Sequence, residues 1–344
     1  NGYGPMTFPL TMAEDGLLDI HVVEGDKPNA EYSGKDGKAI REIVLDHLKT
    51  KGIDGSKETV LIFCNLTKWD PAERRISHHS PYYAGGSHQA GTAWQLDSVL
   101  LDVGQIGNIN KEQYVHDGQY GHISLGRYQS IFVGGICHEL GHALGLPHNK
   151  ERTEEKQRWG TALMGSGNFT YSQESRDGGK GSFLTFAHAT KLASHPAFSG
   201  SMKQMRANPQ TAYHELSMDI TNNGTDVRIK GKVTGKIPVY AVIAYLDPEG
   251  GSDYNATSHA AVTDNDGRFT IDCTSFAGKQ GRIRLVAIHA NGWSRFSEDV
   301  GVNYTRDIHG KIGLDESALN SRKMDFGDID TTGDVAACTH CKRK

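Results

Sequence analysis

The sequence predicts a mixed α/β (α+β) domain followed by an all-β sandwich. Three observations predict it. Between residues 17 and 64, runs suited to strands flank one stretch of helical periodicity. An apolar segment near 127–145 carries histidines at helical spacing. Beyond residue 206, short strand-like runs are separated by turn dipeptides. At 344 residues the chain is long for one hydrophobic core and comfortable for two. The expected divisions are 1–205, 206–305 and a polar tail over 306–344.

Residues 17–23 (Leu-Leu-Asp-Ile-His-Val-Val) read as a first strand. A helix follows over 37–51, with Ile40, Ile43, Val44 and Leu48 on one face. Residues 59–64 are almost continuously apolar, as suits a central strand covered on both faces. This strand–helix–strand order fits a right-handed crossover in a twisted sheet. Residues 93–101 read as one or two more short strands before the helix at 127–145. After loops at Ser199-Gly200-Ser201 and Asn208-Pro209, strands are expected at 213–220, 226–233, 239–246, 258–263, 268–273, 282–289 and 294–302. Asn223-Gly224, Asp266-Gly267 and Asn291-Gly292 supply turns among them. So many strands without an intervening helix predict a β-sandwich.

The helix at 127–145 carries the chemistry. Its end reads His138-Glu-Leu-Gly-His142-Ala-Leu-Gly-Leu-Pro-His148, a complete H-E-x-x-H-x-x-G-x-x-H pattern. Residues i and i+4 share a helix face, so His138 and His142 can place two imidazoles on one metal ion. Gly145 can take the left-handed conformation that ends a helix, and Pro147 stiffens the path that returns His148 as a third ligand. Three protein ligands leave a tetrahedral zinc ion one open position, the arrangement of a catalytic site. Glu139 stands beside the first ligand as the general base for a water in that position. One catalytic Zn2+ ion is therefore expected.

The extended motif resembles the metzincin clan of zinc peptidases, in which a methionine-bearing tight turn lies beneath the metal. Met164, within Gly160-Thr-Ala-Leu-Met-Gly-Ser-Gly167, looks like that turn, and its Ala-Leu-Met core is similar to the matrix-metalloprotease version. The resemblance implies a metzincin-like catalytic domain with an active-site helix, and a zinc endopeptidase. It also implies that substrate is added as a strand along a sheet edge, which we expect at 91–96 and assign to Gly91, Thr92, Ala93 and Trp94. The wall of the substrate pocket is expected at Ser166, Gly167, Asn168 and Phe169, and Tyr171 is a distant candidate for an additional site tyrosine. The sequence departs from the better-known families at Asn149, where matrix proteases have Ser and snake-venom-like enzymes Asp, and in the charged segment 150–158. No cysteine-switch latency peptide is recognisable. The resemblance thus covers the clan, with specific motifs only over 138–167.

Other features bound the function. A net charge of −4, without a basic tract except Lys342-Arg343-Lys344, argues against nucleic acid as a partner. No run is long enough to span a membrane. The chain opens Asn1-Gly2-Tyr3-Gly4, which fits a removed leader and a secreted, periplasmic or cell-surface location. Cys64 and Cys137 lie in apolar segments as buried thiols, while Cys338 and Cys341 form a C-x-x-C pair suited to a local disulfide or a free dithiol. The histidines at 78, 79 and 88 are read as solvated loop residues rather than a second metal site, and His188 and His195 as packing or capping residues. The segment from Asp264 looks like the turn-and-strand of immunoglobulin-like modules, so the sandwich is a candidate for binding a glycan or protein. The expected substrate is a protein or glycoprotein. Two rivals are a peptidase restricted to glycoproteins and a non-catalytic, zinc-containing adhesin; the presence of Glu139 argues against the latter.

Overall fold

The computed structural model describes residues 2–4, 6–249, 253–294 and 300–315. They fall into two compact units, one of 8–146 with 159–183, the other of 2–7, 147–158 and 184–315.

In the first unit, helix α1 (Gly37–Thr50) precedes strands β1 (Thr59–Cys64), β2 (Thr67–Asp70), β3 (Arg75–His78), β4 (Tyr83–Gly86), β5 (Gly91–Leu96), β6 (Val115–Asp117) and β7 (Gly121–Ile123). Helix α2 (Leu125–Ala143) follows. One sheet has the order β1-β5-β4, with β5 parallel to β1 and antiparallel to β4; another has the order β2-β3-β6-β7. Strand β5 is buried along its whole length because helices cover both of its faces. On one side Trp94 joins Ile40 and Val44 of α1 in an apolar cluster, and Arg41 Nε donates to Thr92 Oγ1 at 2.8 Å. On the other, Ala93 packs with Ala143 of α2, and Gln95 Nε2 donates to the Gly135 carbonyl at 3.2 Å. A third cluster seats Tyr128, Ile131 and Phe132 of α2 against Ile76 and Val115.

Two expectations need correction here. Residues 17–23 form no strand beyond a single bridge from Leu18 to Met12, and Leu17, Leu18, Ile20 and Val22 are exposed. An apolar run becomes a strand only where a neighbour satisfies its backbone groups, and none pairs with this one beyond that bridge. Strand β5 is the middle of its sheet, so Gly91, Thr92, Ala93 and Trp94 offer no edge; the edges belong to β1 and β4.

After helix α3 (Thr153–Trp159), short strands β8 (Thr161–Ala162) and β9 (Ser182–Phe183) pair in parallel. The second unit contains helices α4 (Phe186–Ser194) and α5 (Pro196–Ser199). Its strands are β10 (Ala212–Thr221), β11 (Asp226–Thr234), β12 (Val239–Pro248), β13 (Thr257–Val262), β14 (Arg268–Cys273), β15 (Gln280–His289), β16 (Val300–Arg306) and β17 (Ile312–Asp315). They make two antiparallel sheets, β10-β11-β14 and β13-β12-β15-β16-β17. Val227, Ile229, Phe269 and Ile271 of the first share one core with Val242, Ala244, Leu246, Ile283 and Leu285 of the second. The alternate residues Ala241, Ile243, Tyr245, Val286 and Ile288 meet Ala187 of α4 on the opposite face. Double-sided burial explains why 239–246 lacks polar alternation. The expected strand at 294–302 is described only from Val300, and Cys338 and Cys341 lie outside the described residues.

The contact between β5 and the last turn of α2 depends on Gly91: a Cβ there would collide with the Ala143 carbonyl. Gly91→Ala should therefore cost about 1–3 kcal/mol, as other overpacked positions do. Urea unfolding would read it as a lowered midpoint; an unchanged midpoint would show that the sheet and helix can separate freely here.

Candidate metal centre

Helix α2 begins at Ser124, whose Oγ accepts the Arg127 N–H at 3.1 Å in an N-cap. It ends in a Schellman turn. The Gly145 N–H donates to the His142 carbonyl and the Leu146 N–H to the Gly141 carbonyl, both at 2.9 Å, with Gly145 at φ 81°. The turn reverses the chain immediately after His142 and carries it through Pro147 to His148.

His138, His142 and His148 converge there, each offering a ring nitrogen, with the three nitrogens all within 4.8 Å of one another. The rings are 3, 7 and 1 % exposed. His138 Nδ1 donates to the Leu163 carbonyl at 2.7 Å, and His142 Nδ1 to the Leu146 carbonyl at 2.8 Å. Each bond keeps Nδ1 protonated and turns Nε2 inward as a lone-pair donor. The two Nε2 atoms are 3.1 Å apart. Two nitrogens bound to one tetrahedral zinc at 2.0–2.1 Å would stand about 3.3 Å apart, so the pair fits such an ion. This group could hold a metal ion, and among the described residues it is the one cluster of three or more metal-ligating side chains. Glu139 is buried, 2 % exposed, on the same helix beside the first histidine.

Met164 is fully buried in a turn closed by the Gly165 N–H to Ala162 carbonyl bond at 2.9 Å. Its sulfur lies against Gly141, where a Cβ would meet it. The turn is itself anchored by the Leu163 N–H on the Phe183 carbonyl at 2.8 Å, while the Leu163 carbonyl orients His138. Met164 thus packs on the helix that carries His138 and His142, and its neighbour Leu163 fixes the tautomer of His138.

The residues assigned to the pocket wall run beside α2. Asn168 passes over Gly134, one turn before His138, and the Phe169 carbonyl accepts Arg127 Nη1 at 2.8 Å near the start of the helix. Gly167 lies against Ala162 and follows Ser166, which opens a short 3-10 turn. Tyr171 lies over Gly134 with its side chain hydrogen-bonded to Cys137, the residue before His138, and its carbonyl accepts Ser130 Oγ at 2.6 Å. Of the histidines in the 77–88 segment, His78 is half-buried: its ring stands edge-on to Phe132, and burial lowers its pKa. His79 Nε2 bonds the Asn29 carbonyl at 2.9 Å. His188 packs toward Tyr245, and His195 Nδ1 accepts the Ala197 N–H as the cap of α5.

Sequence reasoning missed the surroundings of His148. Tyr254 stacks on its ring, and Asn149 and Arg152 bond residues of β13. These partners are remote in sequence and carry no local motif.

No family model matches the chain, and no curated protein does. Solved structures do match. Wild-type OgpA from Akkermansia muciniphila superposes with a TM-score of 0.70 at 23% identity, over 88% of this chain and 82% of that one; a second crystal form gives 0.70 at 23% over 91% and 83%. A catalytically inactive OgpA in complex with an O-glycopeptide substrate, glycodrosocin, superposes with a TM-score of 0.70 at 24% identity, over 88% and 81%. The chain shares the OgpA fold.

His259 makes one consequence testable. Burial, then the facing Arg152 guanidinium, depress its pKa to about 4 against the opposing pull of Glu155 and Glu154. In the unfolded chain the imidazole titrates near 6.5. Its contribution is therefore complete above about pH 6.5 and is lost as pH falls toward 4, at most about 3 kcal/mol. Between pH 7 and 4.5 the wild type should lose more urea stability than His259→Gln; parallel losses would show that His259 titrates normally.

Proposed function

We propose that this chain is a zinc-dependent endopeptidase whose substrates are O-glycosylated proteins. The observation that carries the reading is the convergence of three imidazole nitrogens beside a buried glutamate on one helix. Three histidines, two of them with Nδ1 hydrogens tied to carbonyls, are a donor set that suits zinc. The glycosylated substrate class is supported by the likeness to OgpA, whose inactive form holds an O-glycopeptide.

His138, His142 and His148 would hold the ion, which would supply Lewis acidity to activate water and polarise the scissile carbonyl. Glu139 accepts a proton from the attacking water and returns it to the leaving nitrogen. The backbone bonds from Leu163 and Leu146 keep both helix histidines oriented through this cycle. Met164 fills the space under Gly141 and so keeps the Leu163 carbonyl in place. Strand β4 lies at an edge of the sheet β1-β5-β4, and we assign the bound peptide to that edge. The 206–305 region is assigned as an immunoglobulin-like module that docks glycan or protein. Such substrates fit a secreted, periplasmic or cell-surface enzyme.

Glu139→Gln should retain zinc and lose peptidase activity by about 100-fold or more, the scale of a lost general base. Metal content and turnover measured on the same preparation check this; undiminished turnover would remove Glu139 from the mechanism. An O-glycoprotein and its enzymatically deglycosylated form, digested side by side, test the substrate class. Cleavage of the glycosylated form alone is expected, and equal cleavage would indicate a general peptidase.

A further inference from the structure

The segment carrying the third histidine is gripped by a single connection of the five-stranded sheet. Tyr254 lies in the 3-10 turn Asp253–Asn255 between β12 and β13. Its ring stacks on His148 with centroids 3.5 Å apart and planes inclined by 23°. Two residues on, the Ala256 carbonyl accepts the Lys150 N–H at 2.7 Å. At the start of β13, Ser258 Oγ accepts Asn149 Nδ2 at 3.1 Å; the same nitrogen donates to Thr185 Oγ1 at 2.8 Å. Asn149 and Ser258 are 0 and 4 % exposed, so these bonds form away from competing water.

The geometry gives these contacts a purpose beyond packing. The Tyr254 ring covers the imidazole of His148 face to face. The Gly145 turn sets the direction of the chain before it. A ring left to rotate would give up that freedom on metal binding. Stacking from one side, with the following residue bolted through its side chain, selects the ligating orientation in advance. We infer that Tyr254 and Asn149 are positioning residues for the third metal ligand, through which the β12–β13 connection sets metal affinity. This rests on the reading of the motif as a zinc site.

The test uses the full chain and zinc alone, with affinity measured by competition against a chromophoric chelator. Outer partners of metal ligands are worth roughly 10- to 100-fold in affinity. Tyr254→Leu and Asn149→Leu should each weaken zinc binding about 10-fold or more by that rule. Tyr254→Phe keeps the stacked ring and should stay within about twofold of wild type, since the ring and not the hydroxyl makes the contact. The cobalt-substituted Tyr254→Leu protein should also show altered visible absorption, reporting a disturbed ligand geometry. Thermal unfolding of the metal-free variants separates loss of fold from loss of positioning, and Tyr254→Leu serves if Asn149→Leu fails to fold. Wild-type zinc affinity in folded Tyr254→Leu overturns the inference, as does an equal loss in Tyr254→Phe. A wild-type protein that takes up no zinc overturns the reading of the motif, and this inference with it.

Discussion

Helix α2 must stop at Ala143 if a third imidazole is to face the first two. One more helical turn would carry the chain away from the point that His138 and His142 share, because residues on one face recur only every three or four positions. Gly145 in the left-handed region allows the stop, and the Schellman bonds to Gly141 and His142 satisfy the carbonyls that the ending helix leaves open. The same turn frees the Leu146 carbonyl to receive His142 Nδ1. Helix termination and ligand orientation are therefore one event: the backbone that ends the helix also fixes a ligand's tautomer.

Each part of the motif is held by contacts within its own unit. Beneath it, Leu163 orients His138 while Met164 fills the hollow at Gly141. Beside it, β5 approaches so closely that residue 91 can carry no side chain, which presses the end of α2 onto the sheet. After it, Asn149 is buried with its amide nitrogen shared between Thr185 and Ser258, while its Oδ1 has no protein partner among the described residues. A buried amide without partners is costly, so the chain beyond His148 is specified by polar pairing as much as by apolar contact.

What was legible in the sequence follows the range of the interactions. The helix at 125–143 and its glycine stop depend on neighbours a few residues away, and spacing disclosed them; Met164, which packs on Gly141 far off in sequence, was expected only from the resemblance. Helix α1 and the alternating strands β10, β11 and β14 were legible for the same reason, since periodicity is local. The run at 17–23 has strand composition but lacks a lateral partner, and composition cannot report pairing. Strand β5 misled in the opposite sense. Gly91-Thr-Ala-Trp looks modest enough for an exposed edge, yet β1 and β4 flank it, and its small residues serve the close approach of α2. Residues 166–169, expected to line the pocket, enter a 3-10 turn at Gly167–Thr170 that runs beside α2, a course set by contacts with Gly134 and Arg127 that sequence does not report.

The surroundings of His148 were the least legible part, and the reason is physical. A side chain that orients a metal ligand needs only to touch it, and nothing requires it to be near in sequence. Asn149 could be seen as a departure from the clan, but its meaning lies in Ser258 and Thr185, which become its neighbours only after two separate stretches of chain have folded. Contacts of such long sequence separation carry a larger loop-closure cost than local ones. The setting of His148 thus depends on elements that the local motif does not encode. The local motif can specify which atoms meet a metal, whereas the distant pairings decide how well the third is prepared to do so.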